Sequence, residues 1–205
     1  MARNTKAKGK IVRRFGVNIY GNQKYDKLLR RKPAPPGEPK KKRVRQTEYA
    51  RQLGEKQKLK FAYGLSERQF SNLFYHAKRM KGVTGDNMLQ LLERRLDNVV
   101  YRIGMAGSRS QARQLVSHGH ILHNGRKVTI PSALVRPGDT IGVRRRKVTQ
   151  DLVRRLMADN SATPVPPWLS VSRDDMSASV TVNPSRDVIP TIADEQLVIE
   201  YYAKQ

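Results

Sequence analysis

Three histidines are the first residues whose type and spacing could do chemistry, in the pattern His118-x-His120-x-x-His123. Imidazoles hold zinc when they converge and a fourth ligand completes the tetrahedron. Gly119 breaks the helical run between the first two, so their rings diverge, and the sequence has no cysteine to finish a set. The pattern reads as one surface histidine, His118, followed by two loop or strand residues. Ser108 has histidines nearby but no orienting acid in sequence range, and a helix cap explains it better. No Gly-x-x-x-x-Gly-Lys-Ser/Thr run marks a nucleotide loop. The residues therefore predict no enzyme, no metal, no cofactor and no small-molecule substrate.

What remains is charge held on a scaffold. Arg94, Arg95, Arg109, Arg113, Arg126, Lys127, Arg144, Arg145 and Arg146 all fall outside the apolar stripes of residues 94–146. The 205 residues contain 41 Lys+Arg against 17 Asp+Glu, a formal charge of +24. Such an excess points to a polyanion, either nucleic acid or an anionic membrane. Residues 1–60 carry twenty basic and four acidic side chains, whereas 161–205 carry three and six. The partner should thus touch the N-terminal arm and the central module, and the C-terminal segment should serve packing. No run approaches the roughly 20 apolar residues of a membrane span. The N-terminus lacks the apolar stretch of a secretory signal. The lack of cysteine excludes disulfides and suits a reducing compartment.

The elements that must position these side chains follow from periodicity. Leu96, Val99, Val100 and Ile103 share one helical face, which Gly104 stops. Ser108 begins a second helix, with Gln111 three residues on to close a capping box. Ala112, Leu115 and Val116 then face inward while Arg109, Arg113 and Gln114 face out. The new helix also aims free amides and a positive dipole end at an anion. Asn124-Gly125 predicts a type I′ hairpin turn, which needs positive φ at both central residues. Val128 and Ile130 alternate around Thr129, Pro137-Gly138-Asp139 turns the chain, and Ile141 and Val143 form a further strand.

Upstream, a helix is expected from Thr47 to about Tyr63, with Arg51, Lys56, Lys58 and Lys60 making one side basic. Ser66 and Gln69 cap the next, where Phe70, Leu73, Phe74 and Ala77 fall at helical spacing and read as core. Thr84 caps a helix whose stripe runs Met88, Leu92, Leu96, Val99. Downstream, Thr149 caps a helix with Leu152, Val153, Leu156 and Met157 on one face. A Ser/Pro-rich linker at 159–167 precedes Trp168, period-two residues Met176 to Val182, and a short helix at Glu195–Tyr202.

At its most specific stretches the chain resembles a known family. Arg-Leu-Asp-Asn-Val-Val-Tyr-Arg at 95–102, Ala-Arg-Gln-Leu-Val-Ser-His at 112–118 and Asn-Gly-Arg at 124–126 look like the RNA-binding module of the small-subunit ribosomal protein S-four family. Gly-Glu-Lys-Gln-Lys at 54–58, Tyr-Gly-Leu-Ser-Glu-Arg-Gln-Phe at 63–70, Pro-Trp-Leu at 167–169 and Glu-Gln-Leu-Val-Ile-Glu-Tyr-Tyr at 195–202 extend the match. Some members bind zinc through cysteines in the N-terminal arm. Those ligands are absent here.

The reading is an α+β chain in four parts. A basic, extended N-terminal arm spans 1–46, and a helical domain spans 47–93, completed by 160–205. A small α/β RNA-binding module of two helices and a small antiparallel sheet spans 94–158. A linker and C-terminal segment, 159–205, packs on the helical domain. The resemblance implies a structural, primary rRNA-binding protein of the small subunit that nucleates assembly of its body and contributes to accuracy. The implied partners are small-subunit rRNA, the neighbouring small-subunit protein five and mRNA where it enters, in the ribosomes of a bacterial cytoplasm or an organelle. The competing class is an RNA-modification or RNA-chaperone protein with the same module. The RNA face is expected to comprise Arg94, Arg95, Ser108, Arg109, Gln111, Arg113, Gln114, His118, Arg126, Lys127 and Arg144 to Arg146. Lys40, Lys41, Lys42, Arg43 and Arg45 extend it along the arm, and Arg51, Lys56 and Lys58 along the first long helix.

Overall fold

The computed structural model describes residues 6–37, 46–161, 164–190 and 192–204. Lys40, Lys41, Lys42, Arg43 and Arg45 lie outside the described residues. Among those described are nine α-helices: α1 (Lys8–Phe15), α2 (Gln23–Arg31), α3 (Glu48–Ala62), α4 (Glu67–Arg79), α5 (Thr84–Glu93), α6 (Leu96–Arg102), α7 (Arg109–Ser117), α8 (Lys147–Asp159) and α9 (Glu195–Ala203). Five strands accompany them: β1 (Ile121–His123), β2 (Arg126–Lys127), β3 (Thr140–Val143), β4 (Leu169–Ser172) and β5 (Ser177–Val180). The fold is α+β, as expected. It divides into two compact units, Met1–Phe74 with Thr191–Gln205, and Tyr75–Pro190.

In the first unit the arm departs from the extended reading, because residues 8–31 form α1 and α2. Their apolar residues are too few to show a period, yet Ile11, Val12, Ile19 and Tyr25 are all buried. Gly9 allows the close approach, since a Cβ there would stand 3.0 Å from Leu28 Cδ2. The side chain of Asn22 accepts from the Lys24 N–H to start α2. The Lys8 and Lys24 ammonium groups sit over the Tyr20 and Tyr25 rings, at 5.3 and 5.2 Å. Thr47 caps α3 by accepting from the Ala50 N–H. Ser66 and Gln69 form the expected reciprocal box at the start of α4, at 3.2 and 3.3 Å.

α9 closes this unit against α3. Gln52 Nε2 donates to Glu48 at 3.1 Å and to Glu200 at 3.0 Å, and Lys204 pairs with Glu48 at 2.8 Å. The Tyr202 ring stacks on Phe74 with centroids 4.3 Å apart. Asp194 caps α9 through the Gln196 and Leu197 amides.

The second unit is a sheet in the order β2-β1-β3-β5-β4, antiparallel at every pairing. Ile121 pairs with Val143, and Ile141 with Ala178. These residues, with Leu169, Val180 and the fully enclosed Trp168, form one buried cluster with the inner faces of α6, α7 and α8. Within the linker and C-terminal segment, residues 168–180 therefore differ from the expectation that placed the whole segment on the helical domain. Leu169–Ser172 and Ser177–Val180 instead complete this sheet, because β3 needs a partner on its second edge and Trp168 needs a core.

Local details also differ. The stripe Met88–Leu92–Leu96–Val99 is not one helix, because Arg94 and Arg95 interrupt it between α5 and α6. Residues 131–135 lie alongside that break, with the Leu96 N–H donating to Ala133 O (2.8 Å) and the Val135 N–H to Arg94 O (2.9 Å). This pairing draws the chain away after Lys127, so Val128–Ile130 is not strand. Val83, not Thr84, precedes α5, and no side chain caps it. Thr149 lies inside α8, buried, with Oγ1 3.2 Å from His120 Nδ1.

The Asn124-Gly125 turn has φ of 51° and 76°, as its type requires. Asn124 Nδ2 donates to Asp139 at 2.7 Å while its Oδ1 accepts from the Thr140 N–H at 2.8 Å. Partial burial works to raise the Asp139 carboxyl, but hydrogen bonds from Asn124, His123 and the Arg136 N–H outweigh it and hold it below the ordinary value.

Two outcomes are expected from this architecture. A fragment of residues 75–190 should unfold cooperatively in urea, whereas one of 94–158, lacking β4, β5 and Trp168, should show no cooperative transition. The lowered Asp139 carboxyl contributes stability that is present at neutral pH and lost as pH falls through its folded value. Asp139→Asn should therefore flatten the acid limb of a plot of urea midpoint against pH.

Candidate nucleic-acid interface

The interface is built outward from the junction of α5 and α6, where three polar residues face the core. Glu93 is 1% exposed, Asn98 1% and Asp97 5%, all within an otherwise apolar cluster. A buried carboxylate is tolerated only when paired and hydrogen-bonded. Arg102 meets Glu93 through two bonds of 2.9 and 2.6 Å. Asn98 Nδ2 also donates to Glu93 Oε2 at 2.9 Å. Asp97 takes two bonds from Arg95, of 3.1 and 2.9 Å.

α7 lies against α6 and carries the first arginines of the face. Ser108 caps it, accepting from the Gln111 N–H at 3.3 Å. Gln111 Oε1 accepts from the Gly107 N–H at 2.9 Å, one residue earlier than a closed capping box requires. Arg109 Nε donates to Asn98 Oδ1 at 2.8 Å, and its guanidinium lies over the Tyr101 ring at 4.7 Å. Arg113, one turn on, stands 3.6 Å from Asp97. Burial lowers the Arg113 pKa, Asp97 opposes that shift and Arg95 reinforces it. Gln114 and His118 are exposed, as expected.

Arg126 and Lys127 are exposed on the hairpin, and Arg144, Arg145 and Arg146 are exposed between β3 and α8. Gly119 has φ 70°, and a Cβ there would collide with the Lys127 stem, so this glycine lets Lys127 cross the end of α7. His120 sits among these cations. Burial lowers its pKa first, then the charges of His118, Arg146 and Arg144.

Some expected contacts have structural work instead. Arg95 is 5% exposed and locked to Asp97, so it is no surface cation. The residue follows Arg94 where the chain turns inward toward Pro131–Val135. Arg94 is half-buried with Nε donating to Val135 O at 2.8 Å, and its pKa is lowered by burial and by Arg136. In the first unit Lys56 is buried, paired with Glu67 and placed over the Tyr201 ring at 4.5 Å. Lys58 is half-buried and pairs with Glu55 at 2.6 Å, while Arg51 is exposed. Sequence reasoning missed Arg136 and Lys147, both exposed beside the face. It also missed Glu93 and Asn98. The signal available was Glu93, Asp97 and Asn98 crowding the edge of an apolar stripe.

Residues 3–93 match the ribosomal protein S4/S9 N-terminal domain, and 94–141 match the S4 domain. The small ribosomal subunit protein uS4 of Borrelia hermsii is 54% identical over 207 residues, covering 100% of both chains. That of Borrelia turicatae is 54% identical and that of Borreliella burgdorferi 53%, at the same coverage. This chain belongs to the uS4 family. In this uS4 chain, β4 and β5 lie beyond the matched S4 domain and still belong to its sheet.

Burial separates two kinds of arginine, and stability should report it. Arg95→Ala leaves the buried Asp97 carboxylate short of its main partner and should cost about 3 kcal/mol. Arg126→Ala, on the exposed hairpin, should stay within about 0.5 kcal/mol of the parent. Urea titrations of both at neutral pH, with unchanged m values, check the contrast.

Proposed function

We propose that this uS4 chain is a structural protein of the small ribosomal subunit, not an enzyme, and that it binds the subunit's RNA through the cationic face of its Tyr75–Pro190 unit. The observation that carries the reading is the sorting of charge. Within this unit Glu93 and Asp97 are turned into the core, while Arg126, Lys127, Arg136, Arg144, Arg145, Arg146 and Lys147 are exposed on the hairpin, the following loop and the β3–α8 corner. Full-length similarity to proteins named for the small ribosomal subunit supports the same reading.

Backbone recognition fits this chemistry. Guanidinium groups suit phosphate oxygens, and side chains on rigid elements read the shape of folded RNA rather than base sequence. Arg109, Arg113, Gln114, His118 and the amides at the start of α7 flank the same face, and Arg94 contributes from its edge. Arg51 and the basic cluster at 40–45 would extend contact along the arm. We assign the chain an early place in assembly, where several RNA helices join in the body of the subunit. Its neighbours would be small-subunit protein five and mRNA on its way in. Through those contacts it would influence decoding accuracy. Its compartment would be the one that holds the ribosomes, a bacterial cytoplasm or an organelle. Among the described residues no helix is long and apolar enough to cross a membrane.

Charge reversal at Arg126 and Arg145 together should weaken binding to a small-subunit rRNA transcript and leave the circular dichroism spectrum unchanged. The slope of log affinity against log salt should lose about one unit per phosphate contact removed. Cell lysates fractionated by sedimentation should place the parent chain in small-subunit particles. Recovery only in free fractions, or binding that ignores salt, would overturn the assignment.

A further inference from the structure

We infer that Asn98 is a positioning residue for RNA binding, which sets the Arg109 guanidinium in its binding orientation and transmits the anchoring of buried Glu93. The inference rests on the rRNA reading above and names how one part of that face is made rigid.

The geometry is a chain of three links. Glu93 is held by Arg102 through both carboxylate oxygens. Asn98 Nδ2 donates to the Glu93 carboxylate at 2.9 Å and to the Glu93 backbone carbonyl at 3.0 Å. That double donation fixes the amide so that Oδ1 points away from Glu93, where it accepts from Arg109 Nε at 2.8 Å. The Tyr101 ring lies beneath the guanidinium at 4.7 Å and fixes its plane. One hydrogen bond at Nε and one ring contact are enough to define a flat group.

An arginine on a bare helix face would sample many rotamers, and ordering it on binding would weaken affinity. Here the ordering is done when the protein folds. The neighbouring Arg113 is handled similarly, 3.6 Å from Asp97, so α6 holds both arginines of α7 from consecutive positions 97 and 98. The Glu93 groups only accept, so they satisfy the Nδ2 hydrogens of Asn98 and leave its oxygen, in a side chain 1% exposed, to take a bond from the half-buried Arg109 on another helix.

The test is a double-mutant cycle on the full chain, read as affinity for a small-subunit rRNA transcript in graded salt. Asn98→Ala should weaken binding about tenfold in the parent background and have almost no further effect when Arg109→Ala is already present. The salt slope of Asn98→Ala should fall toward that of Arg109→Ala. Equal losses in both backgrounds, or no loss in either, would overturn the inference. If Asn98→Ala does not fold by circular dichroism, Tyr101→Leu takes its place in the cycle, with the same coupling expected and additivity overturning it. A parent chain that does not bind the transcript would instead sink the rRNA reading itself.

Discussion

The pairing of two buried carboxylates with arginines is the constraint on which the Tyr75–Pro190 unit depends. Glu93 and Asp97 lie at the junction of α5 and α6, where a charge without a partner would cost several kcal/mol. Arg102 and Arg95 meet that demand. In doing so they fix the break between the helices and the direction in which α6 leaves it. Residues 131–135 close over the break and satisfy the amides that begin α6. With these two acids turned inward, Arg126, Lys127 and Arg144 to Lys147 stay exposed outside, and Asp139 at the foot of the hairpin is tied to Asn124 and His123. The same two acids thus organise the core and leave the outer surface strongly positive.

This division explains what could be read from the sequence and what could not. Period and turn chemistry made α6, α7, the Asn124-Gly125 hairpin and the capping box at Ser66 legible, because each rests on contacts within a few residues. Burial of a charged side chain is decided elsewhere. Arg95 and Arg94 are neighbours of the same type, yet one is locked to Asp97 and the other reaches Val135. Lys56 looked like part of a basic helical side until its pairing with Glu67 and the Tyr201 ring was seen. Met176 to Val182 alternated as a strand should, but nothing local told which sheet it would join. Its partner, β3, is 35 to 39 residues earlier, from Gly142 with Ser177 to Thr140 with Ser179, across α8.

The first unit repeats the pattern with different parts. α1 and α2 are dense in lysine and arginine, and local periodicity misses them. What holds them is the burial of four apolar side chains and two ammonium groups placed over tyrosine rings. A highly charged segment can fold when its cations have aromatic faces to rest on and a few apolar residues to enclose. The exposed remainder of that charge is then displayed on a defined surface and not on a loose coil.

Both units are closed by segments made late in synthesis. β5 completes the sheet of β3, and α9 joins α3 across 148 residues, as between Gln52 and Glu200. A nascent chain that has emerged only as far as residue 160 has every arginine of the cationic face but neither finished core. Pairings so distant in sequence form slowly, since a long loop must close before they return any stability. A ribosome making this protein therefore holds, for a time, a polycation whose two cores are unfinished, until residues 169–203 emerge with the strands and the helix that finish them.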